Sequence, residues 1–215
     1  SINFVETILT MKFATKAIHA GVHPDPATGA IMTPIYQTST YVQEGVGNHK
    51  GYEYSRTLNP TRHALEKNIA AIENGKHGAC FGSGLAAIDC VIKMLNPCDE
   101  IISTNDLYGG SYRIFNTIFA KYGLIFHFVD MQDPAAVAAL VNENTKLIWV
   151  ETPANPLLGI SDIQAISTLA QSHGIKVAVD NTMATPILQN PIQLGADIVM
   201  HATTKYIGGH SDILG

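Results

Sequence analysis

From about residue 78 onward, short β-branched apolar runs alternate with longer stretches whose apolar positions recur at helical spacing. The runs are "IIST" (101–104), "LIFHFVD" (124–130), "KLIWVET" (146–152), "KVAVDN" (176–181) and "IVMHAT" (198–203). Between them lie "GSYRIFNTIFAKYG", "DPAAVAALVNEN" and "DIQAISTLAQSHG". Asp133 and Asp162 stand as N-caps, and Gly174 closes the last of these helices. Strand-helix alternation of this kind predicts crossover units, hence an α/β fold with a mostly parallel central sheet covered on both faces.

The N-terminal third reads differently. "TGAIMTPIYQTSTYV" and "YEYSRTLNP" are rich in turn formers, with prolines that interrupt any regular element. An amphipathic helix, "TRHALEKNIAAIEN", follows Pro60 and ends before Gly75. Residues 1–57 are expected to be an extended segment that wraps around a neighbour, with residues 1–10 an extension ahead of Met11. Residues 58–215 are expected to form the α/β domain.

Composition narrows the class. Of 215 residues 46% are hydrophobic and 14% charged, a balance suited to a buried core and not to disorder. With 13 basic and 18 acidic residues the net charge is −5, and no basic run stands out, which argues against nucleic acid or an anionic membrane as partner. No apolar stretch reaches membrane-spanning length. Cys80, Cys90 and Cys98 lack C-x-x-C spacing and are expected to be buried free thiols in a reducing, cytoplasmic setting. The nine histidines are scattered, which gives no metal motif.

The candidate chemistry sits at the ends of the runs. "GSGLAAI" places Gly82, Gly84 and Ala87 in the spacing of a dinucleotide fingerprint, and free amides at a helix start suit a phosphate. The turn does not open the first β-α unit, however, and Asp99 and Glu100 after it are expected in a Pro-Cys loop and not at a strand end. Asp180 closes one apolar run, and Lys205 follows the next in "HATTKYIGGHSD". Alone, the two read as a structural ion pair. Tyr108 in "DLYGG" adds an aromatic face and Asn155 in "ETPANP" an amide. Lysine, carboxylate, aromatic plate and phosphate nest together point to pyridoxal phosphate. That cofactor condenses with a lysine amine, and a carboxylate keeps its ring nitrogen protonated so that the ring accepts electrons. Each tenfold by which Asp180 favours that proton is worth about 1.4 kcal/mol.

The motifs "ATKAIHAG", "YSRTLNPTR", "GSGLAAI", "LYGGSYR", "ETPANP", "VDNTMATP" and "TTKYIGGHSD" run in order along essentially the whole chain. In this they resemble the cystathionine and methionine metabolism family of pyridoxal-phosphate enzymes. The resemblance implies the aspartate-aminotransferase-type fold (fold type I), with Lys205 bonded to the cofactor, Asp180 on its ring nitrogen and Tyr108 stacked on the ring. It implies further that the amides of Gly84 and Leu85 and the hydroxyl of Thr204 bind phosphate, and that Asn155 lies near the ring hydroxyl. Tyr54 and Arg56 would reach a neighbouring subunit's phosphate in a dimer or tetramer, and Arg113 would lie near the substrate. Ala202 stands where many members have a phosphate-binding serine. Members continue into a C-terminal domain with a carboxylate-clamping arginine, which this sequence does not include.

Within the family, Gly110 occupies the place of the reactive cysteine of methionine γ-lyases and speaks against that branch. Glu53 ahead of "YSR" suits recognition of the distal ammonium of cystathionine, although an exposed charge reads equally well. The expected activity is that of a cystathionine γ-lyase acting on a small sulfur amino acid. Cystathionine γ-synthase and O-acylhomoserine sulfhydrylase are the alternatives within the family. From another class, an inactive pyridoxal-phosphate-binding fragment or scaffold is the rival.

Overall fold

The computed structural model describes residues 11–215, so the reading of residues 1–10 as an extension lies outside the described residues. The chain divides into two compact units at Cys80/Phe81.

The first unit is built on two helices, α1 (Phe13–His19) and α2 (Pro60–Ile72). Sequence patterning missed α1, which has no buried residue and no side-chain cap. It is held from outside, because Asn68 on α2 donates its side-chain amide to the carbonyls of Ala17 and Ala20. Gly21, at φ +77°, lets the chain pass close to α2, where a side chain would come within 3 Å of Ala64, Lys67 and Asn68. Asn59 caps α2 through the Thr61 amide and donates to the Tyr36 carbonyl and to Ser55. Between the helices the chain forms turns and isolated bridges, among them Thr40 opposite Tyr54. Ile35 and Val42 are 85% and 90% exposed there, an apolar surface with no cover within the unit.

The second unit holds a five-stranded sheet of β1 (Glu100–Thr104), β2 (Ile125–Val129), β3 (Thr145–Glu151), β4 (Lys176–Asp180) and β5 (Ile198–Met200). Every pairing is parallel and the spatial order is β2-β1-β3-β4-β5. The helices α3 (Gly84–Ile92), α4 (Gly109–Thr117), α5 (Pro134–Ala138), α6 (Ile163–Ser172) and α7 (Thr185–Leu188) lie between or before the strands.

Alternation along the strands feeds two cores. Ile102, Ile148, Val150, Val177 and Val179 pack with Ile163, Ile166 and Ala170 of α6 on one face. Ile101, Leu147, Trp149, Ala178 and Met200 pack with Ile88 and Ile92 of α3 and Phe115 of α4 on the other. The aromatic centre of this second face is ordered, with Phe115 stacked on Phe126 at 4.8 Å and edge-on to Trp149 at 6.0 Å.

The caps fall where the sequence put them, with Asp133 accepting from Ala135 and Asp162 from Ala165. Two expectations need correction. The stretch 133–144 is helical only over Pro134–Ala138, because Asn142 and Thr145 bond each other's backbone in a turn that leads directly into β3. Of the three free cysteines, Cys90 and Cys98 are exposed: α3 buries Gly84, Ile88 and Ile92, which turns Cys90 outward, and Cys98 sits in a turn at φ 75°.

Candidate active site

The order β2-β1-β3 makes the chain leave β1 outward to β2 and return across it to β3. Open parallel sheets hold ligands at the carboxyl ends of the strands beside such a reversal. Most predicted residues of the second unit, and one more acid, Glu151, gather at those ends. Tyr108 follows β1, Glu151 and Asn155 close and follow β3, Asp180 ends β4, and Lys205 lies beyond β5.

Glu151 and Asp180 are register partners on neighbouring strands, spaced by about 4.8 Å. By alternation both point to the α3/α4 side of the sheet, as Trp149 and Ala178 do. Both are buried, at 4% and 7% exposure. Burial raises the Asp180 pKa, opposed by its hydrogen bonds with Thr182 and by the nearby His201. Glu151 is pushed up to about 8, chiefly by burial and then by the charge of Asp180, while the amides bonded to it pull the other way.

Among the described residues no salt bridge reaches Asp180. The structural ion pair with Lys205 is therefore not formed, and Lys205 is exposed. A buried carboxylate held by Thr182 and influenced by His201, with no lysine or arginine bridge, leaves room for a further cationic partner. The segments beyond β4 and β5 are nevertheless fastened side by side. Asn181 donates its amide to the Met200 carbonyl at 2.9 Å, and the Thr182 hydroxyl accepts from the Ala202 amide at 2.9 Å. Lys205 follows in a turn closed by its amide on the Ala202 carbonyl.

The glycine turn meets this same segment. Ser83 caps α3 by accepting from the Ala86 amide, which leaves the amides of Gly84 and Leu85 as the first two of the helix, with no carbonyl in an earlier turn. A side chain on Gly84 would lie 2.9 Å from both the Ala202 methyl and the Met200 terminal carbon. The helix start is thus set directly against β5 and the lysine segment, and amide dipoles there favour an anion. Thr204 spends its hydroxyl on both backbone groups of Gly215.

Tyr108 is the N-cap of α4, half-exposed, and its ring lies against Gly110 so closely that any side chain there would collide with it. The position singled out for its missing cysteine therefore decides where the tyrosine ring rests. Arg113, further along α4, is exposed. Glu53, Tyr54 and Arg56 belong to the first unit, where the Arg56 guanidinium stacks 4.7 Å over the Tyr54 ring and Glu53 is exposed. Glu151 was not singled out by sequence reading. The signal was present, because "KLIWVE" ends an apolar run on an acid just as "KVAVD" does. Among the described residues no group of three or more His, Cys, Asp or Glu is placed to hold a metal.

A glycine cradle at a helix start, a buried carboxylate, an aromatic plate and a lysine on a tight turn suit a flat, phosphorylated, cationic heterocycle. Comparison with known proteins agrees. The chain is 57% identical over 203 residues to a probable cystathionine γ-synthase of Herpetosiphon aurantiacus, covering 94% of this chain and 64% of that protein. It is 50% identical to a cystathionine β-lyase of Coxiella burnetii, over 94% of this chain and 52% of that one. The solved cystathionine γ-lyase of Lactobacillus plantarum, complexed with L-serine, superimposes with a TM-score of 0.93 at 48% identity, covering 95% of this chain and 53% of that chain. The chain therefore spans between half and two thirds of the length of these relatives. Residues 14–215 match the family model of Cys/Met metabolism PLP-dependent enzymes, and the chain belongs to that family.

Proposed function

We propose that the full-length protein is a pyridoxal-phosphate enzyme that makes or breaks the Cγ–S bond of cystathionine. The buried Asp180 carboxylate, with no salt bridge to Lys205 although their segments run side by side, is the observation that supports this most strongly. When bound, the cofactor supplies an electron sink for a carbanion formed at the substrate Cα. Asp180 accepts the N–H of the ring nitrogen. Gly84 and Leu85 present their amides to the phosphate, with Thr204 beside them. Tyr108 covers the ring face and Asn155 its hydroxyl edge. The Lys205 amine takes the Cα proton and moves protons at the neighbouring carbon, and Tyr108 serves the leaving group. Arg113 and Glu53 belong to substrate recognition in this reading. Tyr54 and Arg56 act on the phosphate of a second copy, for which the exposed apolar residues Ile35 and Val42 provide a docking surface.

Relatives named as synthase and as lyase are both near 50% identity or above. Gly110 speaks against the methionine-cleaving branch. Cleavage and synthesis are separated by assay of the full-length protein with cystathionine alone, where breaking the Cγ–S bond releases cysteine, a four-carbon oxo-acid and ammonia, and with an acylhomoserine plus cysteine. Turnover of one of them, abolished in Lys205→Ala together with the borohydride-reducible cofactor adduct, is the expected outcome. No turnover of either overturns the reading.

A further inference from the structure

Two loops leave the sheet at the reversal between β1 and β3, and a single carboxyl group joins them. The Tyr108 amide donates to Glu151 Oε2 at 2.9 Å and the Asn155 amide donates to Oε1 at 3.1 Å. The backbone of Glu151 is itself fixed, since its amide donates to the Thr104 hydroxyl at 3.0 Å. A second tie runs from the Leu157 amide to the Asp106 carboxylate at 2.9 Å. The Glu151 side chain is thus a buried bracket whose two oxygens set the starting points of Tyr108 and Asn155.

From this geometry we infer that Glu151 is a positioning residue, holding the aromatic plate and the asparagine at a fixed separation across the strand reversal. The inference rests on the proposed function, which places those two residues around the cofactor ring. The geometry requires a carboxyl group of this length. Its two oxygens each accept a hydrogen bond, whereas a glutamine offers one acceptor and turns an NH2 group toward the second amide. An aspartate is one methylene short and cannot span both amides. Glu151 acts through its neighbours. Tyr108, in turn, is confined on its other side by Gly110.

The test uses full-length protein carrying Glu151→Gln, with amide hydrogen exchange measured before cofactor is added and pyridoxal phosphate titrated afterwards. Exchange at Tyr108 or Asn155 should accelerate at least tenfold while the β3 amides of Ile148 and Val150 keep their protection. The dissociation constant for pyridoxal phosphate should rise about tenfold, with a weaker induced circular dichroism of the bound ring. Unchanged exchange at both amides overturns the inference, and so does an acceleration spread equally through β3, which would make Glu151 a general stabiliser only. If the glutamine variant does not fold, Glu151→Asp is read in the same way, with one amide expected to lose protection. Failure of wild-type protein to bind pyridoxal phosphate is distinct from all of these and overturns the functional reading beneath.

Discussion

Two buried acids on adjacent strands give the site an electrostatic signature of its own. Glu151 has an ordinary pKa near 4.5 when unfolded and about 8 when folded, and Asp180 is raised in the same sense. Between those values the native chain holds a proton that the unfolded chain has released. The contribution to stability is therefore full below about pH 4.5 and is lost as pH rises toward 8, by on the order of a few kcal/mol. Urea unfolding of cofactor-free protein at pH 5 and pH 8 measures this, and Glu151→Gln should flatten the dependence relative to wild type. Equal slopes in the two proteins would show that Glu151 does not titrate in this range. Addition of a cationic ring at Asp180 works in the opposite direction, since an ionised partner is then favoured.

At the scale of elements, close approach decides the site. The start of α3 touches β5 through the bare backbone of Gly84, where a methyl group would stand 2.9 Å from Ala202 and Met200. Gly84→Ala should therefore lose about 1–3 kcal/mol by overpacking and shift the two amides offered to the phosphate. Thermal unfolding and pyridoxal phosphate titration of the same variant check both effects, and an unchanged affinity would remove α3 from the phosphate site.

For the whole molecule, the proposed function gives the first unit its role through a second copy. Tyr54 and Arg56 are held together by a cation–π contact, so they move as one group toward whatever they bind. Arg56→Ala should weaken cofactor retention in the dimer and leave it unchanged in a monomer obtained by dilution. Cofactor retention against protein concentration, followed by gel filtration and absorbance, checks this. Equal loss in the monomer would place Arg56 in its own subunit's site. Among the described residues no helix is long and apolar enough to cross a membrane.

All five strands were readable to within two or three residues, because parallel strands buried on both faces appear as unbroken β-branched runs, and the Asp133 and Asp162 caps were readable because their hydrogen bonds are local. The short helix α1 was not, since its stability comes from Asn68 on α2, about fifty positions away. Likewise the sequence alone marked Lys205, Asp180, Tyr108 and the glycine turn as polar or bare groups at run ends, where side chains escape the sheet. Glu151 carried the same mark, but its task depends on two amides that only strand order brings within 3.1 Å of one carboxyl group. Local sequence determines which atoms can donate, accept or bend, and tertiary packing decides which of them meet, because the meeting distances are set by the sheet and not by the chain.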